Sequence, residues 1–360
     1  MATPRDLPRS RLVALGLAIA ALTGVSALAV ARLQPESTTP ASVASEQPVV
    51  ERAPPIPTSA APATETMATT TVTAAPTTTT APPRPVAADR TAPFRGMGAW
   101  VDVFEWAPSY ASPPGTSVDL PPTAVDRMAA EGVQVLYLQA TRYNNPTGGD
   151  IVDPDVLAQW LARAKANGIR VVAWYLPTLT DPAADLRRLK AVAKLPDVAG
   201  IGVDIESTAV ADPAVRSARM LDLSKAVRAA MPDRPLSAIV LPAVDTDVVN
   251  LSYWPGFPWK EIRGLYDVWQ PMGYWTNRKV SSGYRDAERY TRENVERLRA
   301  HLGDPKAVVS PIGGIMNKAT PADVAGFLKA VRETGCVGAS LYNWSTQKPE
   351  TYALMRAARS

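Results

Sequence analysis

From Pro93 onward, short apolar runs alternate with segments whose apolar residues recur at helical spacing. Short apolar runs without polar alternation are typical of strands that are covered on both faces, as in a parallel sheet. The runs predict eight strands, which are Met97–Phe104, Val133–Gln139, Arg170–Leu176, Gly200–Ile205, Leu236–Leu241, Val268–Gly273, Ala307–Ile312 and Gly338–Tyr342.

Capping signals mark the helices between these strands. Several helical segments begin with a capping Asp or Thr followed by proline, as at Asp153-Pro154. Glycine follows others as a C-terminal stop, as at Gly168. The predicted helices are Thr123–Glu131, Pro154–Asn167, Pro182–Lys194, Pro213–Met231, Trp259–Leu265, Tyr284–Leu302, Pro321–Thr334 and Pro349–Arg359.

Eight strand-then-helix units predict an α/β fold of the (β/α)8 TIM-barrel type. An open doubly wound sheet is the alternative architecture. No glycine-rich phosphate-binding motif follows any predicted strand, so nothing indicates a nucleotide fold. A barrel carries its active site at the C-terminal ends of its strands, and those positions are where functional residues are expected.

The first 33 residues predict a signal peptide or an uncleaved signal anchor. Arg5, Arg9 and Arg11 precede an uncharged apolar run from Leu12 to Ala31. That run has about the length of a membrane span, roughly 20 residues, and it also ends in small residues as cleavable signals do. In either case the rest of the chain is expected outside the cytoplasm, secreted or anchored to the cell envelope by residues 12–31.

Residues 34–92 are rich in Pro, Thr, Ala and Ser and show no apolar period. Such a segment cannot bury enough surface to offset its ordering entropy, so it predicts a disordered linker. The linker would hold the barrel domain, residues 93–360, away from a membrane or within a wall.

Composition excludes several function classes. The chain has a net charge of +4 and a pI of about 9.1, which comes from scattered Arg rather than from a basic stripe, so nucleic acid is not an expected partner. With one cysteine, Cys336, and one histidine, His301, a Cys/His metal site is excluded. We predict no cofactor, although an all-carboxylate Mg²⁺ or Ca²⁺ site stays open.

Two carboxylates, Asp204 and Glu206, follow the predicted fourth strand. Residues two apart on a strand face the same way, so these side chains project together from the strand end. Mutual repulsion keeps one ionised and favours a proton on the other, which gives an acid and a base at working distance. Salt-bridged carboxylates at a strand end are the structural alternative.

The other strand ends supply aromatic and amide side chains but few acids. Alternation on the first strand turns Asp102 inward, and strands six to eight end without a carboxylate. Sugar rings stack on Trp and Tyr, and their hydroxyls need amides and carboxylates. The predicted substrate-binding residues are Trp100, Tyr137, Gln139, Tyr175, Gln270, Met272, Trp275 and Trp344.

The fourth strand resembles the signature of family-18 chitinases, D-G-x-D-x-D-x-E. The stretch Gly200–Glu206 matches its second half, while Ala199 and Gly202 stand where the family has two further Asp residues. The stretch Met272–Tyr274 is similar to the family's sixth-strand M-x-Y, and Trp344 to its eighth-strand Trp.

The resemblance to family-18 chitinases implies a set of roles. It makes Glu206 the general acid. Asp204 and Tyr274 would position the substrate's 2-acetamido group as that group attacks its own anomeric carbon, the substrate-assisted scheme.

Family-25 lysozymes are a second likeness. They also carry D-x-E on the fourth strand and an inward Asp on the first, which Asp102 matches. The stretch Val135–Thr141 is similar to their second strand. Together the likenesses cover the strand ends of the barrel and imply a diverged glycoside-hydrolase-like barrel.

We therefore predict an exported glycoside hydrolase that cleaves a polysaccharide such as an N-acetylated cell-wall or chitin-like glycan. Glu206, Asp204, Tyr274 and Asp102 are its predicted catalytic residues. Two alternatives stay open at this point. One is a non-catalytic carbohydrate-binding barrel of the cell envelope, and the other is a structural wall protein.

Overall fold

The computed structural model describes residues 89–113 and 116–357. The predicted signal or anchor segment and most of the predicted linker lie outside these residues. Within the described part of the chain, no helix is both long and apolar enough to cross a membrane. Contacts of the barrel domain include residues just before Pro93, since Arg90 Nε lies 2.8 Å from Asp267 Oδ1.

Eight parallel strands form a nearly closed barrel, which confirms the predicted TIM barrel. The first strand pairs with both the second and the eighth. Bridges from Trp269 to Val309 and from Met272 to Ile312 join the sixth strand region to the seventh, which closes the ring and excludes an open doubly wound sheet. The strands are β1 (Gly96–Val101), β2 (Val135–Gln139), β3 (Arg170–Tyr175), β4 (Val198–Ile205), β5 (Leu236–Val240), β6 (Val268–Pro271), β7 (Ile312–Ile315) and β8 (Gly338–Tyr342).

Helices follow the strands and cover the outside of the barrel. Asp181, Asp212 and Thr320 cap their helices, each accepting a bond from a first-turn backbone N–H. Asp153, predicted to cap the helix that begins at Pro154, does not do so, because its Oδ2 accepts from Ser109 N at 2.8 Å instead. The α-helices are α1 (Val103–Trp106), α2 (Ala124–Ala130), α3 (Pro154–Ala166), α4 (Pro182–Ala193), α5 (Pro213–Ala230), α6 (Trp259–Ile262), α7 (Ala287–Leu302), α8 (Pro321–Glu333) and α9 (Pro349–Ala357). Short 3-10 turns lie at Ala92–Phe94, Pro108–Tyr110, Arg263–Leu265, Trp275–Asn277, Val280–Ser282, Met316–Lys318 and Trp344–Thr346, and a π-turn at Asp245–Val249.

Two strands, β1 and β7, differ from their predicted bounds by three residues or more at one or both ends. β1 ends at Val101 because Asp102 caps the short helix α1, accepting a bond from Phe104 N. β7 begins only at Ile312, since Pro311 has no N–H to donate to a strand ladder. The first change matters for function because it fixes the Asp102 carboxylate at the barrel mouth.

Trp100 fills the barrel interior. Its indole stacks on Tyr137 with ring centroids 4.3 Å apart and meets Trp174 edge-on at 5.8 Å. Its Nε1 donates to Ser340 Oγ at 2.9 Å. Contacts to β2, β3 and β8 from one residue of β1 require an inward-pointing side chain. The centre of the barrel is therefore packed, and a ligand can enter only at its mouth.

The same packing explains why a glycine stands at position 202. A Cβ built on Gly202 lies 3.0 Å from Ile239 Cδ1 and 3.0 Å from Trp174 Cβ. Those contacts are tighter than ordinary packing, so any side chain at this position requires Ile239 or Trp174 to shift.

We expect Gly202→Asp to destabilise the fold by about 3 kcal/mol, because it overpacks the interior and buries a charge. Urea unfolding measures the loss. Gly264→Asp is the matched control, since Gly264 has nothing within 4 Å of its built Cβ. A stable and more active Gly202→Asp protein would contradict this account of the missing acid.

Candidate active site

Asp204 and Glu206 lie at the C-terminal mouth of the barrel. Asp204 is the penultimate residue of β4 and is 6% exposed, while Glu206 follows the strand and is half-buried. Among the described residues neither carboxylate forms an ion pair, and one buried oxygen of each, Asp204 Oδ1 and Glu206 Oε2, has no hydrogen-bond partner. Within its described residues the structure therefore shows no salt bridge at this strand end.

Burial changes the acidity of this pair. It raises the pKa of Glu206 from 4.5 to about 7. Burial raises the pKa of Asp204 well above its usual value too, and the charge of Glu206 adds to that rise. The pair therefore carries two protons at low pH and one proton over a range above pH 7. One protonated and one charged carboxyl is the state that acid catalysis with an electrostatic helper requires.

Tyr274 shows that the predicted catalytic residues converge. Burial raises the pKa of its hydroxyl well above the usual value, and the charges of Glu206, Asp204 and Asp102 raise it further. A hydroxyl that senses all three carboxylates lies near them at the barrel mouth. The four residues, which come from the ends of three strands, are therefore neighbours.

Asp102 is held in place at the mouth by two hydrogen bonds. Its Oδ1 accepts from Phe104 N at 2.9 Å, and its Oδ2 accepts from the hydroxyl of Tyr342 at 2.7 Å. The ring of Tyr342 also packs against Tyr274, with centroids 5.8 Å apart. Tyr342 is half-buried at the end of β8, so it lies at the mouth where the sequence placed Trp344.

A second residue that the sequence did not single out is Tyr253, between α5 and α6. Its hydroxyl donates to the backbone oxygen of Glu206 at 3.0 Å. Arg216, 2% exposed, donates to the Tyr253 backbone oxygen at 2.8 Å and lies over the ring of Trp254. This chain of contacts fixes the backbone that carries Glu206. Nothing in the local sequence reveals it, because the partners are far apart in the chain.

Five predicted substrate-binding residues form the floor below the acids. Each points into the barrel and is at most 5% exposed. Gln139 Oε1 accepts from Val103 N at 3.1 Å, which ties β2 to the start of α1. These side chains shape and support the cleft rather than present open faces. They are Trp100, Tyr137, Gln139, Gln270 and Met272.

Three other predicted contact residues lie behind the barrel wall, and their prediction is corrected. The Tyr175 hydroxyl donates to Asp185 Oδ1 on α4 at 2.5 Å. Trp275 packs on Phe327 of α8, and Trp344 on Tyr352 of α9. Each is at most 1% exposed. Tyr175 follows the inward Trp174 directly, and adjacent strand residues face opposite sides.

The raised pKa of Glu206 also predicts how stability depends on pH. The folded protein binds more protons than the unfolded chain between pH 4.5 and about 7, so the free energy of unfolding falls as the pH rises through that window. Glu206→Gln removes the contribution of Glu206, while burial still raises the pKa of Asp204. We expect the variant to match the parent near pH 4 and to exceed its stability by about 3 kcal/mol at pH 8.

Urea unfolding at a series of pH values measures this difference. Glu261→Gln, at an exposed position on α6, serves as the control for loss of one carboxylate. Parallel stability curves for Glu206→Gln and the parent across pH 4–8 would show that Glu206 is not buried as described.

Comparison with solved structures supports the fold. The chain is similar to a chitinase from Chromobacterium violaceum (14% identity, TM-score 0.52, 74% of this chain and 99% of that one). It is also similar to a spore cortex-lytic enzyme from Bacillus cereus (10% identity, TM-score 0.53, 73% and 74%). A third is an exo-beta-1,4-mannosidase from an Opitutaceae bacterium (13% identity, TM-score 0.54, 74% and 59%). No family model matches the sequence, and no curated protein matches it significantly.

Proposed function

We propose that this chain is a glycoside hydrolase that acts on an N-acetylated polysaccharide. The observation that carries the proposal is the buried pair Asp204 and Glu206, unpartnered at a barrel mouth and close to Asp102 and Tyr274. A buried charged group without a partner destabilises a fold. Such groups therefore occur mainly at functional sites, where their shifted pKa values serve the reaction. Several structural neighbours are glycosidases, including a chitinase and a cortex-lytic enzyme, which supports the same chemistry.

The arrangement suits a substrate-assisted reaction. The N–H of the substrate's acetamido group donates to Asp204, which favours the charged form of that carboxylate and leaves the proton on Glu206. Glu206 protonates the glycosidic oxygen while the acetamido carbonyl oxygen attacks the anomeric carbon. The Tyr274 hydroxyl holds that carbonyl in line. Water then opens the cyclic intermediate with Glu206 as base, and the anomeric configuration is retained.

A panel of glycans tests the proposal. Purified protein is incubated with chitin oligosaccharides, peptidoglycan and a neutral β-mannan that lacks acetamido groups. We expect cleavage of N-acetylated glycans only, with a retained anomer in the NMR spectrum of the first product. Cleavage of mannan at an equal rate would remove the acetamido group from the mechanism.

One observation favours a carbohydrate-binding barrel without catalysis as the second candidate. Gly202 leaves Asp204 without the neighbouring acid found in the resembling family, and Asp204 Oδ1 has no partner. A binder predicts that N-acetylated glycans are retained on the protein, that no product forms, and that Glu206→Gln leaves retention unchanged. Turnover of any glycan excludes it.

Export to the cell envelope is part of the proposal. Its basis is the apolar run from Leu12 to Ala31 behind a basic flank. An externally added protease should degrade the barrel domain in intact cells if residues 12–31 anchor it, and the culture medium should contain it if the segment is cleaved. Protein confined to the cytosol would exclude both routes.

A further inference from the structure

Beside the acid pair, the barrel mouth carries a group of aromatic rings around one guanidinium. Arg142 follows β2 and lies over Phe104 at 4.5 Å, over Tyr110 at 5.7 Å and over Tyr143 at 5.7 Å. Phe104 and Tyr110 meet edge-to-face with centroids 5.5 Å apart. We call these four residues the Arg142 platform. The rings hold the guanidinium plane in place, since cation–π contact favours this geometry.

The platform faces solvent instead of a protein partner. Phe104 is 47% exposed and Tyr143 is 49% exposed, which is unusual for large rings in a part of the fold that is otherwise well packed. Within the described residues no carboxylate lies within 4.0 Å of Arg142, whereas Arg187, Arg278 and Arg285 each pair with one. A guanidinium that is held by rings and has no ion pair there matches a carboxylate from outside the chain.

The platform adjoins the catalytic cleft. Phe104 N donates to Asp102 Oδ1, and the charge of Arg142 lowers the pKa of Asp102, opposing the rise that burial causes. A sugar chain that reaches the acid pair past Asp102 therefore continues over Phe104 and Arg142. The platform is the next contact for that chain on the side of β1 and β2.

A cavity of about 320 Å³ extends this path beyond Tyr143. Its size is at the lower end for ligand pockets, about 300–1,000 Å³. The Arg188 guanidinium donates to the backbone oxygen of Tyr143 at 3.1 Å and so joins cavity and platform. Of the two lining arginines, Arg187 pairs with Asp150, which leaves Arg188 as the remaining positive charge. The lining residues are Tyr143, Asn145, Gly148, Gly149, Asp150, Arg187 and Arg188.

We propose that the Arg142 platform binds a carboxylate-bearing sugar unit, so that the glycan recognised by this protein is acidic. The inference rests on the proposed function for the identity of the ligand as a glycan. The carboxylate accepts two parallel bonds from Arg142 while an apolar sugar face lies on Phe104 or Tyr143.

Calorimetry with two tetrasaccharides tests the inference. All titrations, including those of the parent, are done with Glu206→Gln in place, so that neither glycan is cleaved while it binds. One is neutral chitotetraose, and the other alternates N-acetylglucosamine with N-acetylmuramic acid, whose lactyl carboxylates are free. We expect the parent to bind the acidic glycan about tenfold more tightly than the neutral one, since hydrogen bonds to charged groups have this strength. Raising the salt concentration from 50 to 500 mM should bring the ratio of the two affinities closer to one.

Variants of Arg142 test whether the tighter binding of the acidic glycan depends on this residue. Arg142→Gln should bring the ratio of the two affinities close to one by weakening only the binding of the acidic glycan. Arg142→Lys should retain part of the preference, because the positive charge stays while the paired N–H donors of the guanidinium are lost. Arg263→Gln, at an exposed position, is the control. The inference is overturned by any of three results. The parent binds both glycans with equal affinity, Arg142→Gln loses the same affinity for both, or the parent binds neither. Acidic preference that depends on Arg142, without cleavage of either glycan by the protein that retains Glu206, upholds the platform and overturns the hydrolase.

Discussion

Glu206→Gln is expected to lower kcat for glycan hydrolysis by about 10²–10⁴-fold, the usual contribution of a positioned proton donor. The amide keeps the shape of the side chain but carries no transferable proton, and a glycosidic oxygen is a poor leaving group without one. Glu206 is half-buried at the mouth, so the loss should come from chemistry and not from unfolding. Initial rates at the optimum pH of the parent, with circular dichroism as the fold check, measure it.

KM should change much less than kcat in this variant, because Glu206 acts on the reacting oxygen in the transition state. Glu261→Gln provides the matched control at an exposed site on α6. A folded Glu206→Gln protein with at least half of the parent rate would mean that another residue donates the proton. Asp102 would then be the first candidate, since its carboxyl also lies near Tyr274 at the barrel mouth.

The strand ends could be predicted from the sequence because their signal is local. Asp204 and Glu206 are two apart after an apolar run, and that spacing alone places them on one face. Tyr342 and Tyr253 carry no such signal. Tyr342 contributes through a bond to Asp102, and Tyr253 through a bond to the backbone of Glu206, across 240 and 47 residues of chain respectively.

The errors at the site also have a local physical cause. Successive residues of a strand face opposite sides of the barrel wall, so a shift of one position decides whether an aromatic residue points inward. A turn at the strand end interrupts this alternation, so it no longer predicts the direction of the residues that follow. Trp344 opens a 3-10 turn after β8, so it packs outside the barrel while Tyr342 takes the mouth. The sequence thus predicts that aromatic residues gather at a strand end more reliably than it predicts which of them faces the barrel mouth.

Gly202 links the fold to the chemistry of the pair. In the resembling family an acid at this position accompanies the one that follows two residues later. Here position 202 is a tightly packed glycine, Asp204 Oδ1 has no hydrogen-bond partner among the described residues, and burial raises the pKa of Asp204. The acetamido N–H of a substrate is the remaining partner that favours the charged form of Asp204. Binding and activation are therefore coupled at this residue.

That coupling predicts a change in the pH–rate profile of Asp204→Asn. In the parent, the active pair carries one proton, so kcat/KM should rise through the first deprotonation near pH 7 and fall at higher pH as the second proton leaves. In Asp204→Asn only one carboxyl of the pair, Glu206, is left to titrate. The rising limb of the kcat/KM profile should therefore disappear, and kcat/KM should fall once, near pH 7.

At its optimum the Asp204→Asn rate should be about 10²–10³-fold below that of the parent, the usual loss when one preorganised electrostatic group is removed. Asp119→Asn, at an exposed carboxylate, controls for the loss of charge. A two-limbed profile retained in Asp204→Asn would show that the rising limb belongs to another group. It would also break the argument that Asp204 must be ionised for the acetamido group to attack, because an amide at position 204 cannot take that charge.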